Sequence, residues 1–153
     1  MVITAMTILE RCRTAERELR LLGERANRYR DALQRMTSTL DGVGARATGE
    51  GDRMAAMVAE TDALERRTDA RREEYAAELA AAQRLLDRLP EVECKIMERY
   101  YIRRQPLKAI AMELGYSYGY ARICKGAARD KLERIPADAI ERLLPAWYTA
   151  EKT

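Results

Sequence analysis

Residues 107–132 have the sequence LKAIAMELGYSYGYARICKGAARDKL, and this stretch decides the fold of the C-terminal part of the chain. Apolar residues recur at i, i+3, i+4 and i+7 from Leu107, which predicts a short helix with one buried face. Gly115 can adopt the positive φ that ends a helix, and Ser117 is a favourable N-cap for the next one. The stretch therefore predicts a helix-turn-helix whose second helix covers residues 118–135.

The predicted second helix has two contrasting faces. Its small and apolar residues, spaced 3-4-4, are expected to be buried, and they are Ala121, Cys124, Ala128 and Leu132. The residues expected to contact double-stranded DNA are Lys108, Ser117, Tyr118, Gly119, Tyr120, Arg122, Ile123, Lys125, Gly126 and Arg129. An arginine on such a face can donate two hydrogen bonds to a guanine in the major groove. Gly119 and Gly126 have two explanations, close approach of the backbone to DNA or simple tolerance of surface glycine.

Charge and aromatic residues concentrate in the same region. Between residues 99 and 131 there are eight cations against two acids, a net charge of +6 in a chain whose total is +3. The cations are Arg99, Arg103, Arg104, Lys108, Arg122, Lys125, Arg129 and Lys131. Such a cluster indicates phosphate contacts and salt-sensitive binding. Tyr118 and Tyr120 either pack against the protein or touch the DNA backbone, and the sequence leaves both open.

The first half of the chain has the pattern of long helices. A stripe with 4-3 spacing runs through Ile8, Cys12, Ala15, Leu19, Leu22, Ala26, Tyr29, Leu33 and Met36. Four glycines make residues 37–52 a predicted flexible loop, and a second helix is expected from Asp52 to about Leu89. The charged stretch 65–74 is either a weak part of the hairpin or a frayed helix. These patterns predict an all-α chain: a long helical hairpin or coiled coil over 1–89, the helix-turn-helix domain over 90–135, and a short C-terminal helix over 136–153, where Trp147 is expected to cover an edge of the core.

Composition excludes several classes of function. Without histidine, the Ser–His–Asp and Cys–His catalytic sites are not available, and the paired acids lie on polar helical faces, so we expect no enzyme and no cofactor. The three cysteines are far apart and odd in number, so neither a disulfide framework nor a metal site is expected. No apolar run is long enough to span a membrane, and the N-terminus lacks the features of a signal peptide. The expected location is the cytoplasm.

Residues 89–132 resemble region 4 of sigma-70 factors. The resemblance rests on Ile110, Ala111, Leu114, Gly115, Ser117, Gly119, Arg122, Ala128 and Leu132. With the coiled-coil pattern, the Gly-rich stretch and the charged helix before it, the whole layout is similar to phage-encoded ArpU-like late transcriptional regulators. The resemblance implies a small phage or prophage protein that controls transcription by binding DNA and that touches RNA polymerase in some cases. It does not extend to sigma region 2, so it does not imply a complete sigma factor.

Two other functions are compatible with these patterns. A small-terminase-like DNA-packaging protein also combines a helix-turn-helix with a coiled coil, although in the opposite order. A polymerase-binding or anti-sigma-like interaction protein would use the same three-helix arrangement without binding DNA. The sequence leaves open the operator, the sign of regulation, contact with polymerase, and whether the coiled coil forms within one chain or in a homodimer.

Overall fold

A computed structural model describes residues 2–43 and 48–152, and the chain is all-α, as predicted. No strand occurs in these two ranges. The helices are α1 (Ala5–Val43), α2 (Thr48–Leu86), α3 (Glu91–Met97), α4 (Leu107–Leu114), α5 (Tyr118–Glu133), α6 (Ala137–Glu141) and α7 (Ala146–Lys152), with a π-helical segment, Glu98–Ile102, directly after α3. None of the helices in the described part of the chain combines the length and apolarity needed to cross a lipid bilayer.

The chain divides into two compact units, and the division differs from the predicted boundary at residue 90. The first unit joins Met1–Glu16 to Glu73–Thr153, and the second is Arg17–Arg72. In the first unit one core collects side chains from distant parts of the sequence, such as Ile8 of α1, Leu85 of α2 and Leu132 of α5. The first turns of α1 and the last turns of α2 therefore belong to the same hydrophobic core as the C-terminal helices, because the apolar side chains of all these segments are buried together.

In the second unit, α1 and α2 pair along their length. Glu18 accepts a hydrogen bond from Arg71 at 2.9 Å, and Glu65 accepts one from Arg30 at 2.7 Å. The partner number falls on α2 as it rises on α1, so the two helices are antiparallel in this unit. The α1 stripe faces inward here, with Ala26 buried and the other apolar members half-buried.

The inward face of α2 was not recognised from the sequence because several of its members are polar. Thr61, Thr68 and Arg71 are buried, at the same 3-4 spacing as the apolar Leu64. Each threonine hydroxyl donates to the carbonyl four residues earlier at 2.8 Å, which satisfies it within the helix. Helix α2 continues without a break through residues 65–74, so this stretch is not a frayed helix.

The predicted flexible loop over 37–52 is wrong over most of its length. Helix α1 continues to Val43 and α2 begins at Thr48, whereas the predicted loop positions 44–47 lie outside the described residues. A glycine costs a helix only about 1 kcal/mol relative to alanine. Once a long helix has formed, each added residue gains a hydrogen bond, so isolated glycines do not end it.

A buried polar cluster connects the C-terminal helix α7 to α2 within the first unit. The carboxylate of Glu78 is fully buried; it accepts hydrogen bonds from the Arg11 guanidinium and, at 2.5 Å, from the Tyr148 hydroxyl. Burial, followed by the hydrogen bond to Glu78, raises the pKa of Tyr148 above its ordinary value. The tail thus forms two short helices, and Tyr148 rather than Trp147 enters the core, since Trp147 keeps 41% of its surface exposed.

Candidate functional site

The turn between α4 and α5 has the geometry that the sequence predicted. Gly115 has a φ of 77°, which is the left-handed region that favours glycine, and it ends α4. The N–H of Tyr116 donates to the carbonyl of Ala111 at 2.8 Å. The hydroxyl of Ser117 accepts from the N–H of Tyr120 at 3.1 Å and caps α5. The predicted helix-ending conformation of Gly115 and the predicted N-cap at Ser117 are therefore confirmed, whereas the DNA contact predicted for Ser117 stays a prediction.

The inner face of α5 is the predicted one. All four expected residues are buried, namely Ala121, Cys124, Ala128 and Leu132. Cys124 packs with Ile96 of α3 and Ile110 of α4, whereas Leu132 belongs to the larger core that contains Met97. Because this face is held by α3 and α4, the rotation of α5 is determined and its opposite face points away from the core.

One side of α5, between its buried face and its most exposed face, lines an open cavity of about 460 Å³, here called the basic groove. Its lining residues are Arg13, Tyr100, Pro106, Leu107, Tyr118, Arg122, Lys125, Gly126 and Arg129. Along α5, Tyr118, Arg122, Lys125 and Arg129 follow one another at spacings of four, three and four residues, which keeps them on one side of the helix. At about 1.5 Å per residue this line is roughly 16 Å long. No carboxylate side chain is among the lining residues.

Tyr100 organises the inner end of the basic groove. The guanidinium of Arg13 lies 3.8 Å from the centroid of its ring and also donates to its backbone carbonyl. The ammonium of Lys125 lies 4.4 Å from the same centroid. Burial lowers the pKa of Lys125, and the positive charges of Arg129 and Arg13 lower it further. Two cations are thus held at one aromatic ring by cation–π attraction.

Tyr118 has a similar role at the outer end. The Nζ of Lys108 and the guanidinium carbon of Arg122 lie 5.9 and 5.8 Å from its ring centroid. Tyr118 as a residue is 45% exposed, so a ligand can reach it beside these two cations.

The other predicted contact residues on α5 and its cap lie outside the groove lining. Tyr120 is as exposed as Tyr118, but it makes an edge contact with the Tyr116 ring at 5.0 Å, and a hydrogen bond with Cys124 raises its pKa. Ile123 is 70% exposed and follows Arg122 on the helix surface. Ser117 serves as the cap, and Gly119 lies on the exposed first turn.

Neither outer-face glycine is required by packing within the protein. A Cβ built at Gly119 or Gly126 meets no atom within 4 Å. Both lie in a helix, where φ is negative and alanine is favoured. Their presence has no internal explanation, so both explanations offered from the sequence remain.

The charge of residues 99–131 is less concentrated in space than in sequence. Five of the eight cations form ion pairs, and four of those pairs use acids outside the segment. The pairs are Arg99–Glu113, Arg103–Glu98, Arg104–Glu16, Arg129–Glu133 and Lys131–Glu93. Lys108, Arg122 and Lys125 have no carboxylate partner among the described residues. The cations of this segment that lack an ion pair therefore lie on α4 and on the groove side of α5, where Arg13 of α1 adds a further cation, whereas the exposed Asp130 adds a negative charge on the face of α5 opposite the buried one.

Arg13 and Tyr100 are the groove residues that sequence reasoning missed. Arg13 is one of many arginines on α1 and lies beside the heptad stripe, where a charged residue is ordinarily solvated. Its place next to α5 follows only from the shared core of the first unit, so no local signal distinguishes it.

Within the described ranges, no group of three or more Cys, Asp or Glu side chains is arranged to hold a metal ion. Comparison with protein-family models, characterised proteins and solved structures finds no match to this chain.

Proposed function

We propose that the chain is a DNA-binding transcription regulator that reads the major groove with α5. The observation that carries the proposal is the line of Tyr118, Arg122, Lys125 and Arg129 along one side of a helix whose inner face is fixed by packing. The major groove of B-DNA is wide enough to admit an α-helix, and the exposed side chains of such a helix reach base edges.

The residues of this face suit different parts of the duplex. Arg122 pairs with no carboxylate in the described part of the chain and presents a planar fork of donors, which matches guanine O6 and N7. The exposed side chain of Ile123 suits the methyl group of thymine. Lys108 and Lys125 are point charges that suit phosphate oxygens. Under this proposal, base contacts come from Arg122 and Ile123, and backbone contacts come from Lys108 of α4 and from Lys125.

The regulatory part of the proposal rests on the resemblance of residues 89–132 to sigma-70 region 4 and of the layout to ArpU-like phage regulators. The long helices α1 and α2 would then serve to form a homodimer or to contact RNA polymerase. Two functions compete with this proposal: DNA packaging, and a role in which the chain binds only protein. A measurement of DNA binding distinguishes the proposal from the purely protein-binding role.

The proposal is tested by fluorescence anisotropy with the full chain and a labelled 30-base-pair duplex of mixed sequence. With four or five phosphate contacts, the logarithm of affinity should fall with the logarithm of salt with a slope of roughly −4, or on the order of 10²-fold weaker binding between 50 and 200 mM. Selection from a pool of randomised duplexes then yields a preferred site. On that site Arg122→Ala should cost about 1–3 kcal/mol and relax the preference at one base pair.

The matched control is Arg142→Ala, because Arg142 is an exposed arginine of the same unit that lies on α6's C-terminal side and pairs with Asp138 at 3.4 Å. It should leave both affinity and preference unchanged. Absence of salt-dependent duplex binding by the folded wild-type chain would contradict the proposal and favour a protein-binding role.

A further inference from the structure

We propose that Arg13 of α1, together with Lys125 and Arg129 of α5, forms a phosphate-binding site at the inner end of the basic groove and holds one backbone phosphate of DNA. The choice of DNA as the source of the phosphate rests on the proposed function. The site itself goes beyond it, because Arg13 lies about a hundred residues from α5 in sequence and outside the predicted DNA-binding domain.

Arg13 is held in place before any ligand arrives. Its guanidinium stacks on Tyr100 at 3.8 Å, and Nη1 donates to the Tyr100 carbonyl. A guanidinium has five N–H donors, so this hydrogen bond leaves most of them available. A planar fork that is fixed by stacking matches the oxygens of a phosphate and loses little side-chain entropy on binding.

The surrounding charge favours an anion. Arg13, Lys125 and Arg129 line one cavity that has no carboxylate in its lining. Burial is the main cause that lowers the pKa of Lys125, and the positive charges of Arg129 and Arg13 lower it further, whereas the nearby charge of Glu10 raises it and is the smallest of the causes. Glu133 compensates Arg129 through an ion pair at 3.0 Å. The mutual repulsion of Arg13 and Lys125 at one ring is relieved when a phosphate lies between them.

The phosphate site lies beside α5, the helix proposed to enter the major groove, because both line the same cavity. Gly126 lines the cavity between Lys125 and the next turn, and its missing side chain leaves the backbone of α5 open on this side. At about 460 Å³ the basic groove is much larger than one phosphate group, so it has room for more of the sugar–phosphate backbone than the phosphate alone. A strand that follows the line from Tyr118 to Arg129 would pass Arg13 at its inner end.

The test compares Arg13→Met, Arg13→Lys and Arg20→Met in the full chain. Methionine keeps an unbranched stem against Tyr100 but removes the charge, and Arg20 is an exposed arginine of α1 that serves as the matched control. With the 30-base-pair duplex of mixed sequence, Arg13→Met should weaken binding about tenfold at 0.1 M salt and make the salt slope shallower by about one. Arg13→Lys should restore the slope, and Arg20→Met should match the wild type. Thermal unfolding of each variant verifies that the fold is kept.

A second arm separates a backbone phosphate from a free one. Inorganic pyrophosphate is titrated calorimetrically into the wild type and into Arg13→Met at low ionic strength. Duplex binding whose slope depends on Arg13 supports the proposal. Duplex binding with the same slope in Arg13→Met overturns it and leaves the proposed function intact. Pyrophosphate binding that depends on Arg13, without duplex binding, supports a phosphate site but overturns DNA as its source together with the proposed function. Binding of neither ligand overturns both proposals.

Discussion

Gly126→Ala should stabilise the protein and weaken its binding to DNA at the same time. Gly126 is in the interior of α5, is exposed, and has room for a Cβ, since nothing lies within 4 Å of that position. Alanine should therefore add the full difference in helix propensity, about 1 kcal/mol. For a domain of this size that corresponds to a rise of about 3 °C in the unfolding midpoint.

The effect on DNA has the opposite sign if the backbone of α5 approaches the duplex. A methyl group forced into such an interface costs about 1–3 kcal/mol, or about five- to 150-fold in affinity. Stability is followed by thermal denaturation, and affinity by anisotropy with the 30-base-pair duplex. These two measurements separate the two explanations of the glycine, close approach and simple tolerance.

Gly23→Ala is the matched control. Gly23 lies in the interior of α1, in the other compact unit, and a Cβ there also meets nothing within 4 Å. It should raise stability by the same amount and leave DNA affinity unchanged. If Gly126→Ala binds DNA as tightly as the wild type, the close approach of α5 is refuted and Gly126 is a tolerated surface glycine. If the variant is less stable than the wild type, the propensity argument itself is wrong.

Two further predictions concern the elements that support the site. Tyr148→Phe removes a hydrogen bond to the buried Glu78 carboxylate and should cost roughly 1.5–3 kcal/mol at pH 7 by urea denaturation. The pKa of Tyr148 is raised in the folded state, so its contribution to stability is fully present below pH 10 and is lost as the pH rises above about 10, the pKa expected in the unfolded chain. The stability of Tyr148→Phe should therefore decline less than that of the wild type between pH 10 and 11. Equal declines would contradict this. Ser117→Ala removes the cap of α5 and should cost about 1 kcal/mol. Ser117→Asp should keep the stability, since aspartate is also a favourable N-cap, yet bind the duplex more weakly because it places a negative charge beside the proposed DNA contact. Unchanged stability in Ser117→Ala would show that the cap contributes nothing.

The sequence was most informative where the decisive interactions are local. The roles of Gly115 and Ser117, and the burial of Ala121, Cys124, Ala128 and Leu132, depend on the backbone of one turn and on the period of one helix. These constraints act between residues a few positions apart, so they can be recognised from the sequence alone. The same holds for the inward stripe of α1, whose 4-3 spacing is regular and mostly apolar.

Local patterns failed where the residue type was unusual for its position. The inward face of α2 includes the buried polar residues Thr68, Arg71 and Glu78. Because these residues are not apolar, a search for apolar spacing does not detect this face. These residues are accommodated because each finds a partner: its own helix for Thr68, Glu18 for Arg71, and Arg11 with Tyr148 for Glu78. Because these partners lie on other helices, or exist only once α2 has formed, a local sequence pattern does not reveal them.

The sequence by itself thus determined that the chain is helical, where α4 and α5 lie, and which face of α5 is buried. Only the tertiary structure decided which charges matter. It neutralised Arg99, Arg104 and Lys131 with acids from other parts of the fold, and it brought Arg13 of α1 to the ring of Tyr100 beside Lys125. The physical reason is that helix periodicity acts over one or two turns, whereas ion pairs and stacking act through space between residues that the shared core of the first unit brings together.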